Sequence, residues 1–213
     1  MKSFDLRNHD LFLRNAYTGL SRYEIPLIHR QDIDLDNLQF IGYHNTKTKD
    51  AANKGKTVHF FLDDVKFESA WNRPQRSIER LRQYKQVLSP DFSLYTNMPL
   101  ALQLYNVFRQ SWMGAYWQQK GLTVIPTVTW GDTRSYDFCF DGIEPGAVVA
   151  VSTLGAKKYK DLYLPGFIEM IKRLMPQKVL CYTNPFPEMA DLCDMIEIPH
   201  ESITAKAQRG SDS

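Results

Sequence analysis

The chain has 213 residues, a length that fits one large domain burying about 70% of its unfolded surface. Its 43% hydrophobic and 13% aromatic content excludes a disordered chain. With 26 basic and 24 acidic side chains and a formal net charge of +2, it is not a strongly basic nucleic-acid binder, although a local basic patch remains compatible with this balance.

The first 38 residues carry no sustained period. Phe4, Leu11, Phe12 and Leu13 are candidates to pack an N-terminal extension (1–38) onto a single α/β domain (39–200), with a polar tail at 201–213. The opening run MKSFDLRNHDLFLRN has charges throughout and no apolar core, so no signal peptide is expected. No apolar run reaches the roughly 18 residues of a membrane helix. Cys139, Cys181 and Cys193 form no CxxC pair and read as structural thiols of a cytoplasmic protein.

Along the chain, QFIGYHN is the first predicted strand and TKTKDAANKGK an exposed loop. TVHFFLDD is the second strand, stopping at two acids. Pro74 opens a helix with Ile78, Leu81 and Tyr84 at helical spacing, and DFSLYTN, from Asp91, reads as the third strand. Pro99 opens the clearest helix, with Leu100, Leu104, Val107, Phe108 and Ala115 on its apolar face and Gly121 closing it. LTVIPTVTWGD is a strand with an irregularity at Pro126, which removes a ladder donor. Residues 131–146 form a long connection with turn signals at Asp141-Gly142 and Pro145-Gly146. AVVAVSTLG reads as a strand buried on both faces, Pro165 as a helix opener, KVLCYTNP as a further strand, and PEMADLCDMI as a short helix before an extended segment at 196–199. This alternation predicts an α/β fold with a mainly parallel sheet and crossover helices, either (β/α)-barrel-like or open and doubly wound.

Six apolar runs end in hydroxyl, amide or carboxyl side chains: YHN, LDD, YTN, WGD, STLG and YTNP. In parallel α/β folds these ends share one face, where ligands bind. The expected catalytic carboxylates are Asp64, Asp91 and Asp132, which could serve as acid and base or hold a divalent metal. For Asp91 the alternative is turn chemistry in Ser89-Pro90-Asp91 at a strand start, which would put it at the opposite end from the site. The expected ligand-binding set is Trp71, Arg73, Thr96, Asn97, Trp130, Asp137, Asp141, Ser152 and Thr153. Flat aromatic rings beside carboxylates and arginines suit a nucleobase; helix caps and turns are the alternative. For Arg109, in the longest helix, a structural ion pair is expected. GKT at 55–57 precedes a strand and lacks the upstream glycine of a phosphate loop, and GxGxxG, GxSxG and HExxH are absent. The five histidines are scattered, and His59, mid-strand, reads as a core residue.

The segments HFFLDDVKFESAWNRP, LSPDFSLYTNMPLALQLYNVFRQSWMGAYWQQKGLTVIPTVTWGD and SYDFCFDGIEPGAVVAVSTLG occur in that order. Over roughly residues 57–175 they resemble domain of unknown function 4417, a family of bacteria and of their phages and plasmids. The resemblance makes PDFS, TVTWGD, DFCFDG and VSTLG hallmark blocks and implies a mobile-element setting, with no catalytic role to transfer. The chain departs from the pattern at Tyr182-Thr183-Asn184-Pro185, where a glycine is expected soon after the strand. The functional expectation is an enzyme acting on a nucleotide, nucleobase or nucleic-acid end. The alternatives are a non-enzymatic regulatory protein binding a host or mobile-element protein, and a small-molecule sensor.

Overall fold

The computed structural model describes residues 14, 17, 19 and 21–202. The expected N-terminal packing residues Phe4, Leu11, Phe12 and Leu13, and the tail from 203 onwards, lie outside the described residues. In chain order the elements are β1 (Phe40–Gly42), β2 (Thr57–His59), α1 (Glu68–Asn72), α2 (Pro74–Leu81), β3 (Gln86–Leu88), α3 (Leu100–Gln119), β4 (Val124–Ile125), β5 (Val148–Ser152), α4 (Lys160–Leu174), β6 (Lys178–Tyr182), α5 (Pro187–Ala190) and β7 (Met195–Ile198). Every strand pairing is parallel. β1-β2-β3-β4 form one sheet and β5-β6-β7 a second. A single parallel bridge, Thr127 to Ala150, joins β5 to the continuation of β4. The chain is therefore an α/β protein with parallel sheets. The strand order follows the chain in each sheet, without the reversal that marks a doubly wound sheet.

Side-chain alternation explains why such short strands hold. Phe40, Phe61, Leu88, Ile125, Val148, Ala150, Leu180, Tyr182 and Ile198, drawn from all seven strands or their immediate ends, meet in one interior cluster. The alternate residues point the other way. Ile41, Val58, Val87 and Val124 pack under Ala70, Trp71, Ile78, Leu81, Trp112 and Trp117 of α1, α2 and α3. Val149, Val151, Val179 and Cys181 pack under Phe167, Met170 and Leu174 of α4. Ile25 and Ile28, from the segment before β1, are buried as well.

Several local signals act as expected. Pro99 caps α3 in an extended conformation. Gly121 adopts φ +83° beyond the helix end, where Leu122 N–H reaches back to Trp117 O at 3.0 Å. The β4 ladder stops before Pro126, whose carbonyl accepts from Ala150 N at 2.8 Å. Two expectations are corrected. The third strand is Gln86–Leu88, not the segment from Asp91, and α4 begins at Lys160, leaving Pro165 inside it. No helix among the described residues is long and apolar enough to cross a membrane.

β1 and β7 share no ladder among the described residues. Glu201, three residues past β7, makes a side-chain link there. Its carboxylate accepts from Gly42 N at 3.0 Å and Asn45 Nδ2 at 3.5 Å, and Oε1 lies 3.9 Å from His59 Nε2. A Cβ at Gly42 would meet the His44 ring at 2.8 Å and this carboxylate at 3.1 Å, so a larger residue would have to displace both side chains. Replacing Glu201 by Ala removes a charge-assisted bond worth about 1.5–3 kcal/mol. Thermal melts should show a fall of roughly 3–10 °C, with Gln intermediate. An unchanged melt for the Ala variant would mean that this link does not hold β1 to the end of the fold.

Candidate functional site

With β3 ending at Leu88, Ser89-Pro90-Asp91 lies at the C-terminal ends of the strands. The reading of Asp91 as a strand start at the opposite end is therefore overturned. Asp64 arrives at the same place from the turn after β2. Its carboxylate accepts from Ser93 Oγ at 2.9 Å and from Ser93 N at 3.3 Å. Asp91 is hemmed in by protein yet keeps part of its surface open. Burial, and next the negative charge of Asp64, push its carboxyl up to about 8. At neutral pH Asp91 thus carries a proton beside an acceptor that is already hydrogen-bonded.

Helix α3 fixes the loops around this pair through a polar stripe at i, i+3 and i+7. Gln103 Nε2 donates to the carbonyls of Tyr95 (3.0 Å) and Met98 (2.9 Å). Asn106 Nδ2 donates to Ser93 O at 2.7 Å, and Gln110 Nε2 to Thr127 O. Thr127 is also cross-linked to Ser89, its N–H donating to Ser89 Oγ (2.8 Å) and its hydroxyl to Ser89 O (2.7 Å). Arg109 Nη1 bonds both oxygens of Glu68 at 2.8 and 3.0 Å, and Nη2 bonds Asn106 Oδ1 at 2.7 Å, with the guanidinium 3.8 Å from the Phe92 ring centre. Arg109 is the structural ion pair expected of it.

On the other side, Trp130 packs closely against α4 at Gly166. A Cβ at Gly166 would meet its indole at 2.2 Å, so only glycine permits this approach. The Trp130 ring packs 4.8 Å from Tyr163. Thr153 Oγ1 bonds Thr183 Oγ1 (2.7 Å) and Asn184 O (2.8 Å), and Ser152 Oγ accepts from Leu154 N. Thr183 takes φ +72°, the left-handed conformation a glycine would adopt without strain, in the stretch where the resemblance leads one to expect a glycine.

The remaining expected residues are committed elsewhere. Asp132 caps the turn at 133–137 and is gripped by Arg134 at 2.7–3.1 Å; this guanidinium holds the carboxyl below its usual range and also bonds Thr96 O at 2.8 Å. Thr96 and Asn97 are exposed in the turn after β3. Asp137 pairs with Arg22 at 2.9 Å, and Asp141, in the same long connection, is raised by burial. Trp71 is buried in the core against Arg14, Tyr105 and Trp112, and Arg73 is exposed at the start of α2. Among the described residues no three His, Cys, Asp or Glu side chains converge to hold a metal ion. Burial pushes the thiols of Cys139 and Cys181 up to about 12, so neither is an activated nucleophile. His59 is fully buried; its Nδ1 accepts from Phe61 N at 3.2 Å, and burial holds the ring neutral, with a pKa of about 3.

Sequence reasoning missed Ser93 and the α3 stripe. The stripe was readable, since Gln103, Asn106 and Gln110 recur at helical spacing inside an otherwise apolar helix. Two surface depressions lie away from Asp64 and Asp91: one of about 270 Å³ lined by Ser21, Ile25, Asp141 and Arg173 among others, which places the expected Asp141 there, and one of about 420 Å³ beside Leu27, His29 and Gln118. Size alone would favour them, but the proton-bearing carboxyl is at the strand ends.

The molecule is thus a parallel α/β protein with a carboxyl pair where its strands end. It belongs to the domain of unknown function 4417 family (DUF4417), whose profile matches residues 17–199, well beyond the 57–175 span of the resemblance read from the sequence. It is similar to the Gene 1 protein of Mycobacterium phage L5, 43% identical over 200 residues, covering 92% of this chain and 82% of that one. The Gene 1 protein of Mycobacterium phage D29 is 39% identical over 200 residues, covering 92% and 70%. The family is phage-associated. No solved structure matches.

The Asp91 carboxyl has a testable linkage. Its folded pKa lies above its unfolded value, so its protonation stabilises the fold fully below about pH 4, and this contribution is lost as pH rises through about 8. Asp91→Asn cannot ionise. Denaturation at pH 9 should show it more stable than the parent by about 1–3 kcal/mol, with the gap narrowing as pH falls from about 8 toward 4. A variant less stable than the parent at pH 9 would show that Asp91 is a structural carboxylate.

Proposed function

We propose that this protein is an enzyme acting on a nucleotide, nucleobase or nucleic-acid end, with Asp91 as the proton-carrying group and Asp64 as its ionised neighbour. The observation that carries this reading is the pair itself. On adjacent strand ends, burial and the neighbouring Asp64 charge keep a proton on Asp91, which can donate, beside a carboxylate that already accepts from Ser93. A donor beside an acceptor complements the amide-like edge of a base. The loop bearing Asp91 is clamped by Asn106 and Gln103, and its neighbour after β4 by Gln110, which supports a preorganised site. A phage-associated family is compatible with nucleic-acid chemistry but does not specify it.

A second reading rests on a different observation. Val65, Tyr95 and Leu154, on the loops after β2, β3 and β5, are 84%, 60% and 54% exposed. Apolar side chains on the strand-end loops suit docking of a host or phage protein. A partner captured equally by the parent and by Asp91→Asn, and lost on Leu154→Asp, would favour this non-enzymatic role.

For the enzymatic reading, thermal melts with a panel of mononucleotides and short single strands at pH 7 should identify a ligand. At about 100 times its Kd this ligand should raise the melting temperature by roughly 5–10 °C. Asp91→Asn and Asp64→Asn should abolish the shift, and in the parent it should fade above about pH 8. No shift with any member of the panel would sink the proposal.

A further inference from the structure

Charge is unevenly spread over this molecule. The whole chain carries 26 basic and 24 acidic side chains. Yet the connection from β1 to β2, residues 43–56, holds Lys47, Lys49, Lys54 and Lys56 against a single acid, Asp50. That acid is turned inward, accepting from the Tyr84 hydroxyl and from Asn53 Nδ2, each at 2.8 Å. The connection has no α-helix and buries no apolar side chain after Tyr43. Polar bonds to α2 and to the turn after it hold it in place. Lys47 N donates to Tyr84 Oη at 3.0 Å, Asp50 N to Gln83 Oε1 at 2.8 Å, and Gln83 Nε2 to Lys47 O. Arg80 Nε donates to Thr46 O at 3.0 Å, with the guanidinium 4.6 Å from the Tyr43 ring centre.

The side of α2 that makes these bonds brings further cations. Arg73, Arg76 and Arg80 recur at i, i+3 and i+7, so they line up on the side that meets the lysine-bearing connection. Arg80 is spent on Thr46, while Arg73 and Arg76 are exposed. Among the described residues neither of these two, nor any of the four lysines, pairs with a carboxylate. Lys66, Lys85 and Lys178, by contrast, each pair with an aspartate. The one acid that α2 adds is Glu79.

We infer that this patch docks the phosphate backbone of a nucleic acid. Unpaired cations held close together on a pinned backbone repel one another, and an anion relieves the repulsion. None of them lines either surface depression, so the fit is to a row of phosphates along a surface and not to one phosphate in a pocket. A membrane surface calls for apolar side chains among the cations, and no large apolar residue is exposed in 43–56 or 73–82. The patch begins directly after β1, the ladder neighbour of the strand that leads to Asp64, so a nucleic-acid strand on it borders the strand ends. The inference stands on the patch alone and does not need the role given to Asp91. Where both hold, the substrate is a polymer.

The experiment is fluorescence anisotropy at pH 7 with a labelled DNA single strand, the same sequence as RNA and a DNA duplex, each titrated with the full chain over a series of salt concentrations. The expected result is binding of at least one of them, with log K falling against log salt at a slope of roughly −3, as about four neutralised phosphates require. Lys47→Gln/Lys49→Gln and Arg73→Gln/Arg76→Gln should each weaken binding about tenfold and flatten the slope by roughly 1.5, with unchanged melts. Lys157→Gln/Lys158→Gln, which removes the same charge from the stretch after β5, should bind as the parent does. An equal loss in that variant means that net charge and not the patch is responsible, and overturns the inference. Binding to phosphatidylserine vesicles without binding to any nucleic acid overturns it, as does no binding at all. Asp91→Asn should bind as the parent does. If it loses binding while both patch variants keep it, the strand is held at the carboxyl pair, so the patch is overturned while the enzymatic reading stands.

Discussion

Parallel strands covered on both faces leave only one kind of place for polar chemistry, the point where each strand stops. In this protein one face of the strands meets in a shared cluster from Phe40 to Ile198, and the other is covered by α1–α4. An ionisable group set among those layers would lose its charge, as His59 does. At the strand ends the constraint is looser but still felt. Asp91 is enclosed enough to keep its proton and open enough to exchange it, and the surrounding loops are arranged around that compromise.

The arrangement depends on a helix that would read as an ordinary amphipathic element. α3 covers the first sheet with Trp112, Met113, Tyr116 and Trp117. Its neighbouring edge carries Gln103, Asn106 and Gln110, which donate to backbone carbonyls of the loops after β3 and β4. The loop after β4 keeps only the Thr127–Ala150 bridge to β5, and the loop carbonyls that reach no strand need donors if the chain is to hold one shape. The helix supplies them. The same residues that satisfy the loop backbone therefore fix Ser93, and through it Asp64, beside Asp91. Stability and site geometry share their contacts here, so substitutions in this stripe should disturb both.

Much of the fold was legible in the sequence where pattern and backbone chemistry agree. β5 is a continuous apolar run, α3 is bracketed by Pro99 and Gly121, and Pro126 marks the end of the β4 ladder. The third strand was not legible, for a physical reason. DFSLYTN alternates like a strand because Phe92 and Leu94 are buried, yet Ser93 O and Tyr95 O bond to side chains of α3 instead of a neighbouring strand. The true strand, Gln86-Val87-Leu88, is too short to show a period. That error carried a consequence for the site, since it is the position of β3 that brings Asp91 to the same end as Asp64. Among the other expected residues, Asp132 follows a strand in the sequence pattern, but its engagement by Arg134 depends on the turn that comes after it. Trp71 was read as a stacking surface from type alone, and its burial against Trp112 depends on contacts distant in sequence.

The central claim is that Asp91 holds a proton at neutral pH. Carbon-13 NMR of the protein with labelled aspartate, assigned by comparison with Asp91→Asn, reads this carboxyl directly as pH is varied. The account predicts a titration midpoint near 8 that moves down when Asp64 is replaced by Asn. A midpoint near 4, the ordinary value for an exposed aspartate, would contradict it.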